Sequence, residues 1–203
     1  MRGGRRRPPG RRTAACTDVA GVVVLLGVSI ALRAALLTRH GLYRDDAWPA
    51  LATRTALGRA VRLGITAPGF ELFLRTWLAV SRSTPWAQLP ELAASAAAAA
   101  GVYLLARRVG CDPAAALVGG GLLALSPTAV LYATRVKQYS FEAAWSVVVL
   151  ACAVWAAERL SGRRRWAVLL VVVGAAGLFS SPLIAVGAVA LVWVAWPDWR
   201  EGG

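Results

Sequence analysis

Apolar residues in this chain come in long blocks, and nearly all the charge falls in the short runs between them; the blocks predict membrane spans. The first runs from Val19 to Thr38 and is interrupted only by Arg33, which near its outer end is expected to snorkel to the lipid head groups. A second covers Leu89 to Ala106, rich in alanine and stopped by Arg107 and Arg108. Pro113 opens a third that continues to about Ala133, with Gly119, Gly120 and Gly121 available for close helix packing. A fourth follows the charged run 134–142, reaches Ala157 and ends before Glu158-Arg159 and Arg163-Arg164-Arg165. Trp166 to Trp196 holds 31 residues without a charge, about 46 Å as one helix, against a hydrocarbon core of roughly 30 Å. Ser180-Ser181-Pro182 divides it, and two short spans meeting at an outer turn are favoured over one long kinked span. The count is about six spans, with five as the alternative.

The interval 39–88 has a different pattern. Apolar residues Phe70, Phe73, Leu74, Trp77 and Leu78 follow helical spacing, with Glu71 and Arg75 as an i, i+4 pair on the opposite face, between Pro68 and Pro85. That is a helix lying in the membrane interface, and a second short helix is expected over about 47–63. The fold class is therefore an all-α polytopic transmembrane bundle: a basic tail (1–18), a membrane module (19–196) with an extracytoplasmic loop at about 39–88, and a polar tail (197–203).

Charge fixes the expected orientation. The net charge of +13 comes from 22 arginines and one lysine, in a chain that is 58% hydrophobic with a mean hydropathy of +0.57. Arginines beside apolar blocks follow the positive-inside rule, so nucleic acid is excluded as a partner and membrane lipids are expected. With 1–12, Arg107-Arg108 and 163–165 in the cytoplasm, both termini are inside and the protein is a multi-pass plasma-membrane protein. The amino-terminal basic and apolar run lacks a good small-residue cleavage site and reads as an uncleaved anchor. Cys16, Cys111 and Cys152 make no disulfide framework.

On this topology two charged runs share the outer face. Arg39-His40-Gly41-Leu42-Tyr43-Arg44-Asp45-Asp46 carries adjacent carboxylates with the only histidine, and the second run carries Arg135, Lys137, Tyr139 and Glu142. Ionisable groups gathered at a membrane boundary mark a candidate site. A carboxylate facing cations suits transfer from a phosphate-linked donor: Asp45 or Asp46 as base for an acceptor hydroxyl, Arg135 and Lys137 for the leaving phosphate, with His40, Arg44 and Glu142 in support. Asp46 also fits an N-cap for a helix starting at Ala47, which favours Asp45 as the base. The cationic residues alternatively only anchor span ends at the head groups. No metal-ligand set is read from the sequence, although a divalent cofactor stays open.

The order of Asp45-Asp46 after the first span, Ala67-Pro68-Gly69-Phe70, Leu125-Ser126-Pro127, Arg135-Val136-Lys137-Gln138-Tyr139-Ser140 and Ser181-Pro182 resembles the GT-C membrane glycosyltransferases. It is most similar to the bacterial relatives of protein O-mannosyltransferases and aminoarabinose transferases, over about residues 18–196. The resemblance implies a transferase taking a sugar from a polyprenyl-phosphate carrier on the extracytoplasmic side, its catalytic carboxylate at Asp45 or Asp46 and its donor phosphate near Arg135, Lys137 and Tyr139. Two departures accompany it. Asp46 stands where the family commonly has glutamate, and the family's further spans are absent, which implies a separate polypeptide supplying a carboxyl-terminal half. The competing expectation is a non-catalytic, truncated relative that binds lipid-linked sugar or a partner subunit; a transporter ranks third, for want of an inverted repeat.

Overall fold

The computed structural model describes residues 11–37, 42, 44–62, 64 and 66–201, and the side chains of 16–195 within them. Every regular element among them is helical: α1 (Arg11–Ala34), α2 (Arg44–Ala52), α3 (Leu57–Arg62), α4 (Pro68–Leu78), α5 (Thr84–Arg108), α6 (Pro113–Leu125), α7 (Pro127–Tyr132), α8 (Tyr139–Arg159), α9 (Gly162–Phe179) and α10 (Pro182–Glu201). Three helices are long and apolar enough to cross a membrane, within Cys16–Ala34, Thr84–Arg108 and Tyr139–Arg159. Pro113–Leu125 and Pro182–Ala195 are apolar but shorter.

Helix α5 is the centre of the bundle, with α1, α6 and α8 packed around it and the α9–α10 pair packed on α8. Its alanines explain the position. Ala96, Ala98, Ala99 and Ala100 are all buried, and a helix this thin lets three neighbours approach closely. Gly120 of α6 uses that space: a Cβ there would lie 2.8 Å from the backbone oxygen of Ala99.

Prolines set most of the breaks. Pro127 has no N–H to continue α6, so the expected third span divides into α6 and α7, with the Ser126 hydroxyl accepting from Ala129 N at 3.4 Å. The apolar run 166–196 breaks at Ser180-Ser181, as expected, and its two arms fold back as a hairpin in which Gly177 meets Ile184 and Gly187 meets Val173. Pro90 lies inside α5 and leaves the carbonyl of Trp86 without its helical donor. The Trp77 indole N–H supplies one at 2.8 Å, Trp86 returns a bond to Trp77 O at 3.0 Å, and the two rings stack at 4.2 Å. This reciprocal pair fixes the turn between α4 and α5.

Three expectations are corrected. The helix expected over 47–63 is two helices, α2 and α3, separated by a turn in which Thr53 and Thr55 hydroxyls bond Ala50 O and Ala52 O. The Glu71–Arg75 pair forms at 3.0 Å, but Glu71 is fully buried and Arg75 reaches back to Thr55 O and Ala52 O at 2.7 and 2.9 Å, so the charged face of α4 ties the loop together. Arg33 does not snorkel. It is 0% exposed, donating to Ser95 Oγ at 2.9 Å, Ser29 O at 3.2 Å and Ala124 O at 3.0 Å. The reason is local: the last turn of α6 ends at Ser126-Pro127 with carbonyls lacking helical donors, and a guanidinium inside the bundle satisfies one of them.

The bundle has two polar ends. At one, Arg107 pairs with Asp18 at 2.6 Å and Arg108 pairs with Glu158, which places the arginine-rich ends of α5 and α8 together. The other end gathers α2, α3, α4, the start of α5, the connector 133–138 and the α9–α10 turn.

Candidate functional site

The site is built on the connector between α7 and α8. Val136 is 0% exposed and packs with Phe70, Leu74, Leu78 and Ala87 into a small core, while Arg135 and Lys137 on either side of it remain partly exposed. The connector is a run of turns and bends, with Thr134 N bonding Leu131 O and Arg135 N bonding Tyr132 O, in which one residue plugs the core while its two neighbours stay partly exposed. The cations meet the carboxylates of α2, with Lys137 Nζ 3.7 Å from Asp45 and Arg135 Nη1 3.4 Å from Asp46.

Beside these pairs is an open cleft of about 390 Å³ lined by Asp45, Trp48, Pro49, Thr66, Lys137, Gln138 and Tyr139. The two aspartates stand differently in it. Asp45 is 73% exposed and lines the cleft; Asp46 is 3% exposed behind it, with Oδ1 lacking a hydrogen-bond partner. Burial pushes the Asp46 carboxyl above its ordinary value, against the opposing pull of the Arg135 and Lys137 charges. Asp46 is not the N-cap expected from the sequence. Helix α2 already begins at Arg44, which puts both aspartates in its first turn, where their charge complements the helix dipole.

Of the residues named from sequence, the structure brings together Asp45, Asp46, Arg135, Lys137 and Tyr139. Tyr139 lines the cleft and packs edge-on against Tyr132 at 4.7 Å between ring centroids. Arg44 opens α2 as an exposed residue. Glu142 is one turn into α8, where it accepts a hydrogen bond from the Ser180 hydroxyl and so ties the α9–α10 turn to the site. His40 lies outside the described residues. Among the described residues no three His, Cys, Asp or Glu side chains gather as a metal-ligand set.

Sequence reading missed Gln88 and Glu91. Both are 1% exposed on α5 beneath the connector; Gln88 Nε2 donates to Thr134 O at 2.7 Å, and Glu91 Oε2 accepts from Ser140 N at 3.1 Å. The signal was present, since Gln88, Glu91 and Ser95 recur at helical spacing along one face of an apolar helix.

A groove of about 650 Å³ opens sideways between α5 and α8, walled by Phe73, Trp77, Phe141 and Trp145 above and by the small residues Ala93, Ala94 and Ala97 below. It starts from the same helix ends that carry the cleft. Comparison with protein-family models, with curated proteins and with solved structures finds no match to this chain.

Proposed function

We propose that this chain is a membrane glycosyltransferase module that moves a sugar from a polyprenyl-phosphate donor to an acceptor hydroxyl in the cleft beside Asp45. One observation carries the reading: two aspartates of α2 face Lys137 and Arg135 beside one open cleft, at 3.7 and 3.4 Å. The Asp45–Lys137 pair is mostly exposed and therefore contributes little on its own, so a phosphate can replace the carboxylate as partner of Lys137. That exchange frees Asp45 beside the acceptor. Asp45 takes the acceptor proton, the acceptor oxygen bonds to the anomeric carbon, the bond from that carbon to the phosphate oxygen breaks, and the polyprenyl phosphate leaves against Lys137 and Arg135. Asp46, buried and held by Arg135, keeps that cation in place. The aromatic and alanine groove beside the site suits the donor's apolar chain.

In this reading the bundle crosses the plasma membrane about six times. The three long apolar helices are joined by α6 with α7 and by the two arms of the α9–α10 hairpin. The arginine-rich end faces the cytoplasm and the site end faces outward. Helices α2, α3 and α4 lie at the outer interface.

The test is release of polyprenyl phosphate from a panel of radiolabelled polyprenyl-phosphate sugars by membranes containing the full chain, normalised to protein abundance. Asp45→Asn should lose about 10²- to 10⁴-fold of rate, as removal of a general base does. Lys137→Ala should weaken use of the donor. Full activity in both Asp45→Asn and Asp46→Asn refutes the assignment.

A further inference from the structure

We infer that Gln88 and Glu91 of α5 are positioning residues: together they clamp the segment 134–140, which is the connector and the first residues of α8, and set where Lys137 and Arg135 stand beside the cleft. The connector needs an external hold. Gln138, the residue before α8, makes no side-chain cap to that helix; its Oε1 instead accepts from Ala67 N at the start of α4, at 3.5 Å. The first N–H groups of α8 therefore lack a local partner, and a helix end left so is costly when buried. Glu91 supplies the cap from another helix, its Oε2 accepting the Ser140 N–H at 3.1 Å.

At the other end of the same segment, Gln88 holds Thr134 O at 2.7 Å. Gln88 and Glu91 are i and i+3 on α5 and share a face, so a single helix turn grips the connector at both ends. Between the two grips lie Arg135, Val136 and Lys137. With the ends fixed and Val136 fully buried, the two cations have only one side on which to emerge, which is the side of Asp45 and Asp46. Neither residue touches the cleft. They act on it through the backbone, and their effect on phosphate recognition rests on the transferase reading, whereas the clamp does not.

Hydrogen–deuterium exchange on the full chain in nanodiscs reads the clamp directly. In Glu91→Leu and in Gln88→Leu, peptides covering 134–141 should exchange at least tenfold faster while the α9–α10 hairpin keeps its protection. Glu91→Gln, which retains a side-chain acceptor for the Ser140 N–H, should stay near wild type. Unchanged exchange at 134–141 in the two leucine variants, or a rise shared by the whole bundle, overturns the clamp. If Glu91→Leu does not fold, Gln88→Leu decides the question: tenfold faster exchange at 134–141 upholds the clamp and unchanged exchange overturns it. Binding of farnesyl phosphate, followed by tryptophan fluorescence, then separates the two proposals. A clamp that positions Lys137 predicts about tenfold weaker binding in Glu91→Leu and no further loss when it is combined with Lys137→Ala. Additive losses overturn the positioning role, and loosened exchange in a protein whose wild type does not bind farnesyl phosphate upholds the clamp while removing the proposed donor.

Discussion

Replacing Arg33 by alanine tests the most unusual contact in the bundle. Arg33 is the largest fully buried side chain among the described residues, and its guanidinium ties α1 to α5 through Ser95 and to the end of α6 through Ala124 O. Truncation leaves Ala124 O without that donor, a loss of about 1 to 3 kcal/mol for a buried acceptor. Removing the apolar stem adds roughly 0.8 kcal/mol for each buried CH₂. Relief from burying a charge, whose Nη2 has no partner, offsets part of this, so a net loss of about 2 to 4 kcal/mol is expected. Arg33→Met fills most of the space and removes the charge, but it leaves Ala124 O without its donor just as alanine does, so it should cost about 1 to 2 kcal/mol, less than alanine. Reversible unfolding by SDS in mixed micelles, followed by circular dichroism, measures both. An arginine reaching the head groups would behave as a surface residue, with both variants within about 0.5 kcal/mol of wild type; that result would refute the buried role.

Other expectations can be read from the same unfolding assay. Gly69→Val should destabilise by about 1 to 3 kcal/mol, because its Cβ would stand 2.9 Å from the backbone oxygen of Leu178, whereas Gly121→Ala, which meets nothing within 4 Å, should be tolerated. Trp77→Phe should cost about 1 to 3 kcal/mol by removing the N–H that serves Trp86 O where Pro90 has no helical donor to give. The folded chain holds the Asp46 proton above its ordinary pKa of 3.8, so between that value and the raised one the native state binds more protons than the unfolded state. Wild-type stability should then fall relative to Asp46→Asn as pH rises through that window, and a parallel pH profile for the two proteins would contradict it.

Hydropathy made the helices legible and left their interiors obscure. The blocks at 19–38, 89–106 and 143–157 became α1, α5 and α8 because a long, mostly apolar run admits few other solutions in a membrane protein. The break at Ser180-Ser181 was visible for the same reason, since proline and length both demanded it. The turn between α2 and α3 was not. No proline or glycine marks it, and it is held by threonine hydroxyls and by Arg75 reaching across from α4, a contact that depends on how α4 docks.

The candidate site shows the same division between what a charge pattern states and what packing decides. Asp45, Asp46, Arg135 and Lys137 stood out because charges at the end of an apolar block are conspicuous, and a topology that put both runs on one face sufficed to pair them. The preference for Asp45 over Asp46 rested on a cap that does not form: α2 begins at Arg44, and it is burial against Arg135 that keeps Asp46 out of the cleft. Arg33 was assigned to the head groups and Gln88 and Glu91 received no reading, although the rule applied to Asp45 applies to all three with more force. Each satisfies a backbone group left open where a helix starts or stops: Ala124 O near the end of α6, Thr134 O after α7, Ser140 N at the start of α8. The polar face of α5 at Gln88, Glu91 and Ser95 therefore follows from the broken helices around it. A bundle whose outer helices are interrupted near the site needs polar side chains on its central helix at the same level, and that requirement joins the irregular backbone of this end to the charges it displays.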